Sequence, residues 1–364
     1  MKYIYSFHRT FFDEKGNPLF ILAGDYHYFR IPHSHWKRDF NEMQRMGLNS
    51  VFVYVPPCVH NPDEDEYVFS GYFGASLNGK QIFSRDVSEV LELAKDNNLY
   101  VFLRPGPIVV CELPENGLPL WLKRKYGHEI WSRLTLGKGS YGTYPTLTHP
   151  RYLRWARNWY GAIKKHLGKY VGDPIVAWQL DNETKSMEPI LYLDKNPFLI
   201  KKYRAWLERR YKTIEHLNVL YGTSYKDFSE VLPPVEYSSN MRRNLWLSDW
   251  IRFHAIETVE YLNTLKKYVM ELFPGNKLLF FVNDMPHTGV ASLMPMDIVG
   301  KSSVGVYGID LYPKVSPFNS KILDYPFLGG TIVDLVSACI PDNPPFGAEV
   351  GMGWWMHPPV VHHK

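Results

Sequence analysis

Short apolar runs alternate with longer amphipathic segments along the whole chain, and no other feature of the sequence narrows the fold as far. The apolar runs lie at residues 18–24, 50–55, 100–104, 175–180, 277–283, 304–311 and 346–350. Helix-like segments lie at 35–46, 84–96, 151–166, 197–211, 245–272 and 327–338. Strand, helix, strand repeated this often predicts a parallel sheet covered by helices. Several runs are apolar throughout rather than alternating, as strands covered on both faces are. The predicted class is α/β: a (β/α)8 barrel of the TIM type, truncated after strand seven. An eighth unit needs a strand and a helix, and only residues 350–364 follow Glu349.

The expectation is therefore one barrel domain over 1–364, without the eighth unit or any C-terminal domain. Such a chain is either a piece of a longer protein or is completed by a second chain. Open edges on strands one and seven would be sticky unless covered, so a homo-oligomer or a complementing C-terminal chain is expected. Two stretches stand outside the repeat. Residues 127–148 are rich in Gly, Ser, Thr and Tyr and read as a long loop, and 213–244 read as an insertion. Long loops on the C-terminal face of a barrel commonly build the pocket.

Forty-one basic side chains against 37 acidic ones leave a formal charge of +4, with no long basic tract, so neither nucleic acid nor membrane is an expected partner. No run of 18 apolar residues is present, and Met1-Lys-Tyr-Ile-Tyr-Ser-Phe-His-Arg9 lacks the apolar core of a signal peptide. Cys58, Cys111 and Cys339 are odd in number and without paired spacing, which fits a reducing compartment. The expected location is cytoplasmic. His357, His362 and His363 lack ligand spacing, and no G-x-x-x-x-G-K-[ST] loop occurs, so no metal and no cofactor are expected. Aromatic side chains make up 15% of the chain, enough both to pack a core and to supply flat faces for sugar rings.

Two of the runs end in a glutamate. Ile175-Val-Ala-Trp-Gln-Leu-Asp-Asn-Glu183 delivers an Asn-Glu pair, and Phe346-Gly-Ala-Glu349 delivers a second carboxylate. Barrels of this class place catalytic groups at C-terminal strand ends; the bland alternative is an internal salt bridge. Two carboxylates on two strand ends are the minimum equipment for glycoside hydrolysis. Asn182 can hold a substrate hydroxyl while Glu183 handles a proton.

The first 185 residues resemble glycoside hydrolase family 35, the β-galactosidase family. The matching blocks are Gly24-Asp-Tyr-His-Tyr-Phe-Arg30, Met46-Gly-Leu-Asn-Ser-Val-Phe-Val-Tyr54, Leu103-Arg-Pro-Gly-Pro107, Cys111-Glu112 with Gly117-Leu-Pro-Leu-Trp121, His149-Pro-Arg-Tyr-Leu153 and Gln179-Leu-Asp-Asn-Glu183. The middle is more similar to family 42, through Leu217-Asn-Val-Leu-Tyr-Gly-Thr-Ser-Tyr225, Pro233-Pro234 and Asp249-Trp-Ile-Arg-Phe253. The 349 − 183 = 166 residues between the two glutamates resemble the archaeal members of family 35, among which are exo-β-D-glucosaminidases.

The resemblance implies an eight-fold barrel, a retaining mechanism, Glu183 as acid/base and Glu349 as nucleophile. Their carboxyl groups would lie roughly 5–5.5 Å apart. Asn182 would hydrogen-bond the sugar 2-hydroxyl. An amide there suits a hydroxyl better than an amino group, though Asp181 sits one position away. Glu112 matches a sugar-binding Glu, with Cys111 where the family has Ala and Leu113 where it has Trp. Tyr54 matches a tyrosine that touches the sugar, or else lids the core. Tyr312 is placed to donate to the nucleophile carboxylate. His27 and Arg30 are expected to brace the carboxylates; Arg104 does likewise or pairs with an acid below the pocket. Trp354 and Trp355 either floor a sugar subsite or pack against the eighth unit.

The expected activity is exo-acting retaining hydrolysis of terminal non-reducing β-linked sugars, β-D-galactosides first and β-D-glucosaminides second, with an oligosaccharide or β-glycoside as substrate. An expectation of another class is an inactive carbohydrate-binding or scaffold fragment of a split glycosidase.

Overall fold

The computed structural model describes residues 1–74, 82–110, 113–134, 141–184, 194–234, 241–284, 304–311, 333–334 and 336–350. Seven strands form one parallel sheet in sequential order: β1 (Ala23–Tyr26), β2 (Ser50–Tyr54), β3 (Tyr100–Arg104), β4 (Ile175–Gln179), β5 (Leu279–Asp284), β6 (Val306–Leu311) and β7 (Gly347–Val350). β2 and β4 are buried at every position and β3 at all but its first, which is why they read as unbroken apolar runs.

Side-chain contacts show that the sheet is curled. The ring centroids of Phe52 on β2 and Phe346 at the start of β7 are 6.3 Å apart. Five strand steps separate these two along the sheet, which laid flat would span about 24 Å. Phe102 on β3 and Phe281 on β5 join them, with centroid separations from 5.0 to 6.3 Å. The four rings fill the interior as a packed layer, as side chains do in this class of barrel. The expected barrel architecture is present through seven strands.

β1 and β7 are the two ends of the sheet and are not hydrogen-bonded to each other. Between them lies a cavity of about 920 Å³, lined by Ala23, Gly24, Asp25, Phe346, Gly347 and Ala348 among others. A small antiparallel sheet of Ile4–Phe7, Thr10–Asp13 and Pro18–Leu19 precedes the barrel. Its Phe11 meets Phe346 at 5.5 Å. The single run expected at 18–24 thus divides. Pro18 and Leu19 pair with Phe12 and Phe11, on an edge where proline's missing N–H costs no ladder bond, and β1 starts at Ala23.

Among the described residues, the helices of eight residues or more are α1 (Trp36–Arg45), α2 (Val87–Asp96), α3 (Leu120–Ile130), α4 (Pro150–Leu167), α5 (Pro197–Tyr211), α6 (Ile214–Tyr221) and α7 (Met241–Leu272). α4 does most to position the strand ends. His149 caps it, Pro150 opens it, and Tyr152, Trp155, Ala156, Trp159, Tyr160, Ile163 and Leu167 form its buried stripe at helical spacing. From that stripe Trp159 Nε1 donates to the Pro105 carbonyl at 2.8 Å and the Tyr160 hydroxyl to Gly106 at 2.6 Å. Both acceptors lie in the loop that leaves β3.

The stretch 127–148 differs from the loop expected of it. α3 ends there, and Trp131–Arg133 pairs antiparallel with Tyr141–Pro145, because Trp131 and Tyr144 are buried anchors. In 213–244, α6 packs Leu217 and Tyr221 with Tyr203, Trp250 and Phe253 of its neighbours into a separate cluster. Of the helix expected at 327–338, residues 333–334 and 336–338 are described and are helical.

Candidate active site

All seven strands are parallel, so their C-terminal ends share one face, and polar residues replace the phenylalanines there. Arg104, at the end of β3, forms the boundary between the two layers. It is fully buried, and its guanidinium carbon lies 4.4 Å from the Phe52 ring centroid below it. It donates to the Tyr54 hydroxyl at the end of β2 and, over 2.6 Å, to the carbonyl of Ala348 on β7. That carbonyl belongs to the peptide leading into Glu349. β3 and β7 are four strand steps apart in the sheet, so this single side chain bridges the barrel mouth.

β4 carries the densest cluster. Gln179, Asp181, Asn182 and Glu183 are all buried, with Glu183 only 5% exposed. The chain turns sharply here: Glu183 has φ of 45°, in the left-handed region that a non-glycine residue adopts only when its surroundings enforce it. The enforcing contacts are present. The Asn182 N–H donates to the Ile108 carbonyl at 3.2 Å, and the Glu183 N–H to Asn283 Oδ1 at 3.2 Å. Asp181 Oδ1 accepts from the Ile108 N–H at 2.8 Å and Oδ2 from the Thr184 hydroxyl at 3.3 Å. Burial pushes the Asp181 carboxyl up to about 8, against the lowering effect of these hydrogen bonds.

Asn283 on β5 and Asp310 on β6 extend the cluster. Asn283 Nδ2 donates to Asp310 Oδ2 at 2.8 Å and to Asn182 Oδ1 at 3.0 Å. Gln179 Nε2 donates to Asn182 Oδ1 at 3.1 Å and also to Asn283 Oδ1. The Tyr54 hydroxyl reaches Asn182 Oδ1 at 3.4 Å. Asp310 is the backbone register partner of Glu349 on β7, next to an irregularity in the pairing. A continuous polar belt therefore runs from β2 through β6, with the β7 backbone alongside.

Of the residues expected in the site, the structure gathers Tyr54, Arg104, Asn182 and Glu183 into this belt. His27 stands against Tyr54, ring centroids 5.0 Å apart. Arg30 is exposed and lies over the Phe29 ring at 5.3 Å. Glu349 is described by its backbone alone, and Cys111, Glu112, Tyr312 and Trp354 lie outside the described residues. Asn283 and Asp310 were not expected. Each is the polar residue near the end of an apolar run, the same signal that singled out Glu183. Among the described residues no group of three or more His, Cys, Asp or Glu could hold a metal ion, and no helix is long and apolar enough to cross a membrane.

Residues 25–316 match the glycoside hydrolase 42 family, described as β-galactosidase. The chain belongs to that family. The match spans both the blocks that resembled family 35 and the middle section that resembled family 42, and the family assignment is 42 rather than 35. Among curated relatives, the chain is 26% identical over 361 residues to a β-1,2-glucosyltransferase of Ignavibacterium album, covering 95% of this chain and 48% of that protein. It is 32% identical over 264 residues to an exo-β-D-glucosaminidase of Thermococcus kodakarensis, covering 68% of this chain and 31% of that one. The fold is similar to that of the solved β-galactosidase from the psychrophilic Marinomonas ef1. The TM-score is 0.66 at 19% identity, over 89% of this chain and 47% of that one. The chain therefore spans less than half the length of each of these proteins.

Proposed function

We propose that this chain is the catalytic barrel of a retaining exo-β-glycosidase that removes terminal non-reducing β-linked sugars, with β-D-galactosides as substrates. The observation that carries the reading is the belt itself. In a chain of family 42, Glu183 and its partner Asn182 are held at the end of β4 by contacts from the loop that leaves β3 and from β5, while Glu349 lies on β7 beside Asp310. In the reading, Glu183 protonates the leaving oxygen while Glu349 attacks the anomeric carbon. Glu183 then takes a proton from the water that releases the sugar. Tyr54 and Asn182 hold ring hydroxyls, Glu112 accepts from others, and Tyr312 keeps the nucleophile ionised. Two of the three thiols, Cys58 and Cys339, are free, in keeping with a reducing, cytoplasmic setting.

A second reading is exo-β-D-glucosaminidase activity, favoured by the likeness to the Thermococcus kodakarensis protein. The glycosyl-enzyme of either reading could also pass its sugar to another sugar's hydroxyl, the type of reaction named for the Ignavibacterium album relative.

Side-by-side assays on nitrophenyl β-D-galactoside and β-D-glucosaminide test the proposal. Turnover of the galactoside is expected, and on an alkyl β-D-galactoside, whose poor leaving group needs the proton that nitrophenolate does not, Glu183→Gln is expected to cost about 10²- to 10⁴-fold in kcat/KM. Turnover of the glucosaminide alone would favour the second reading, and no turnover by the folded chain would favour a non-catalytic carbohydrate-binding role.

A further inference from the structure

We propose that Asn283 is a specificity-determining residue: through it, the Glu183 main chain fixes which end of the Asn182 amide a ligand can meet. A backbone N–H can only donate, and that of Glu183 lies 3.2 Å from one terminal atom of Asn283, which must therefore be the carbonyl oxygen. The other terminal atom is the NH₂ nitrogen. It faces Asp310 Oδ2 at 2.8 Å, and a carboxylate anchors the same orientation from the opposite side. That nitrogen also lies 3.0 Å from Asn182, so the Asn182 atom facing it is an acceptor. Gln179 Nε2 at 3.1 Å and the Tyr54 hydroxyl at 3.4 Å converge on the same oxygen. Rotating the Asn182 amide by half a turn would set its NH₂ against two other NH₂ groups. One unambiguous main-chain donor thus settles the orientation of two amides in sequence.

The chemical consequence falls on whatever lies beside Glu183. The Asn182 oxygen is engaged by three donors, and its nitrogen makes no hydrogen bond among the described residues. A ligand meets N–H groups at this point. A hydroxyl can accept from them; an ammonium has three donors and no acceptor, and cannot. Resting on the reading that Asn182 faces the sugar's C2 substituent, the belt selects a 2-hydroxyl over a protonated 2-amino group. Asn283 is a positioning residue in this account, since it acts only through Asn182.

The test compares binding of isopropyl 1-thio-β-D-galactoside and its 2-amino-2-deoxy counterpart by calorimetry, at a pH where the amine is charged. The two ligands differ only at C2, and neither is turned over. The wild-type chain is expected to prefer the hydroxyl ligand by about tenfold or more. Asn283→Ala is expected to bring that preference close to unity by weakening the hydroxyl ligand alone, as is Asn182→Ala. The near-isosteric Asn283→Asp, which presents an oxygen where the NH₂ was, is expected to lower the preference too, and carries the test if the alanine variant does not fold. A loss of affinity shared equally by both ligands, an unchanged ratio in the folded variants, or a wild-type chain that binds neither or prefers the amine would overturn the proposal. Turnover of nitrophenyl β-galactoside is scored separately. Intact selectivity without turnover sinks the catalytic reading, whereas turnover with an unchanged ratio sinks only this inference.

Discussion

Asp181, buried between Asn182 and the β4 strand, ties the Ile108 N–H and the Thr184 hydroxyl to the turn that presents Glu183. Folded, it holds its proton up to about pH 8 because burial disfavours the charge; its ordinary value is 3.8. The folded state thus binds more protons between those limits, and this contribution to stability, full below 3.8, is lost as pH rises through about 8. His60 has the opposite sign. Its Nδ1 donates to the Val68 carbonyl, so Nε2 accepts from the Tyr28 hydroxyl, and burial lowers the imidazole from 6.5 to about 3. Its contribution is present above 6.5 and falls away with acid. Between pH 6.5 and 8 only the Asp181 slope of the two operates. Chemical denaturation across that window is expected to show stability falling with pH in the wild-type chain and nearly flat in Asp181→Asn, which is more stable than wild type at pH 8. An equal slope in both would show that Asp181 is ionised in the folded protein. At this scale Asn182 and Glu183 were legible because one continuous segment carries both. Asn283 and Asp310 were not, because their part depends on which strands become neighbours.

Strands were legible where both faces are covered. β2, β3 and β4 have no alternation to misread, and their expected bounds match to within a residue. Short elements whose burial depends on tertiary context were not legible, as at Ile4–Phe7, Thr10–Asp13 and the ribbon built on Trp131 and Tyr144. The approach of β6 to β7 gives a test at this scale. A Cβ on Gly308 would sit 2.6 Å from the Ala348 Cβ and 3.0 Å from Phe346 Cδ1, so the strands can lie this close only with glycine there. Gly308→Ala is expected to cost about 1–3 kcal/mol and to lower activity, since Ala348 leads into Glu349 and holds Arg104. Denaturant titration with a parallel rate assay would check both; a stable, fully active variant would contradict the packing described.

For the whole molecule, the strand–helix alternation specified the order of the sheet, and the packing of phenylalanines from β2, β3, β5 and the start of β7 closes it into a curve. Phe102 is fully buried in that layer. Phe102→Ala should destabilise the chain by about 3–5 kcal/mol with a cooperative loss of structure, measured by thermal melting; a loss under 1 kcal/mol would mean that the layer is not a closed core. The family could be recognised from local blocks, but the division between families 35 and 42 could not, since blocks resembling each occur in one chain.

Curling brings the end of β4 and the end of β7 to one mouth, and the proposed hydrolysis requires Glu183 and Glu349 to act there on a single anomeric carbon. Incubation with 2-deoxy-2-fluoro-β-D-galactosyl fluoride, followed by peptide mass spectrometry, tests this most directly. The expected result is one fluorosugar per chain, attached through the Glu349 carboxylate. A label on another residue, or time-dependent inactivation with no covalent adduct, would contradict it.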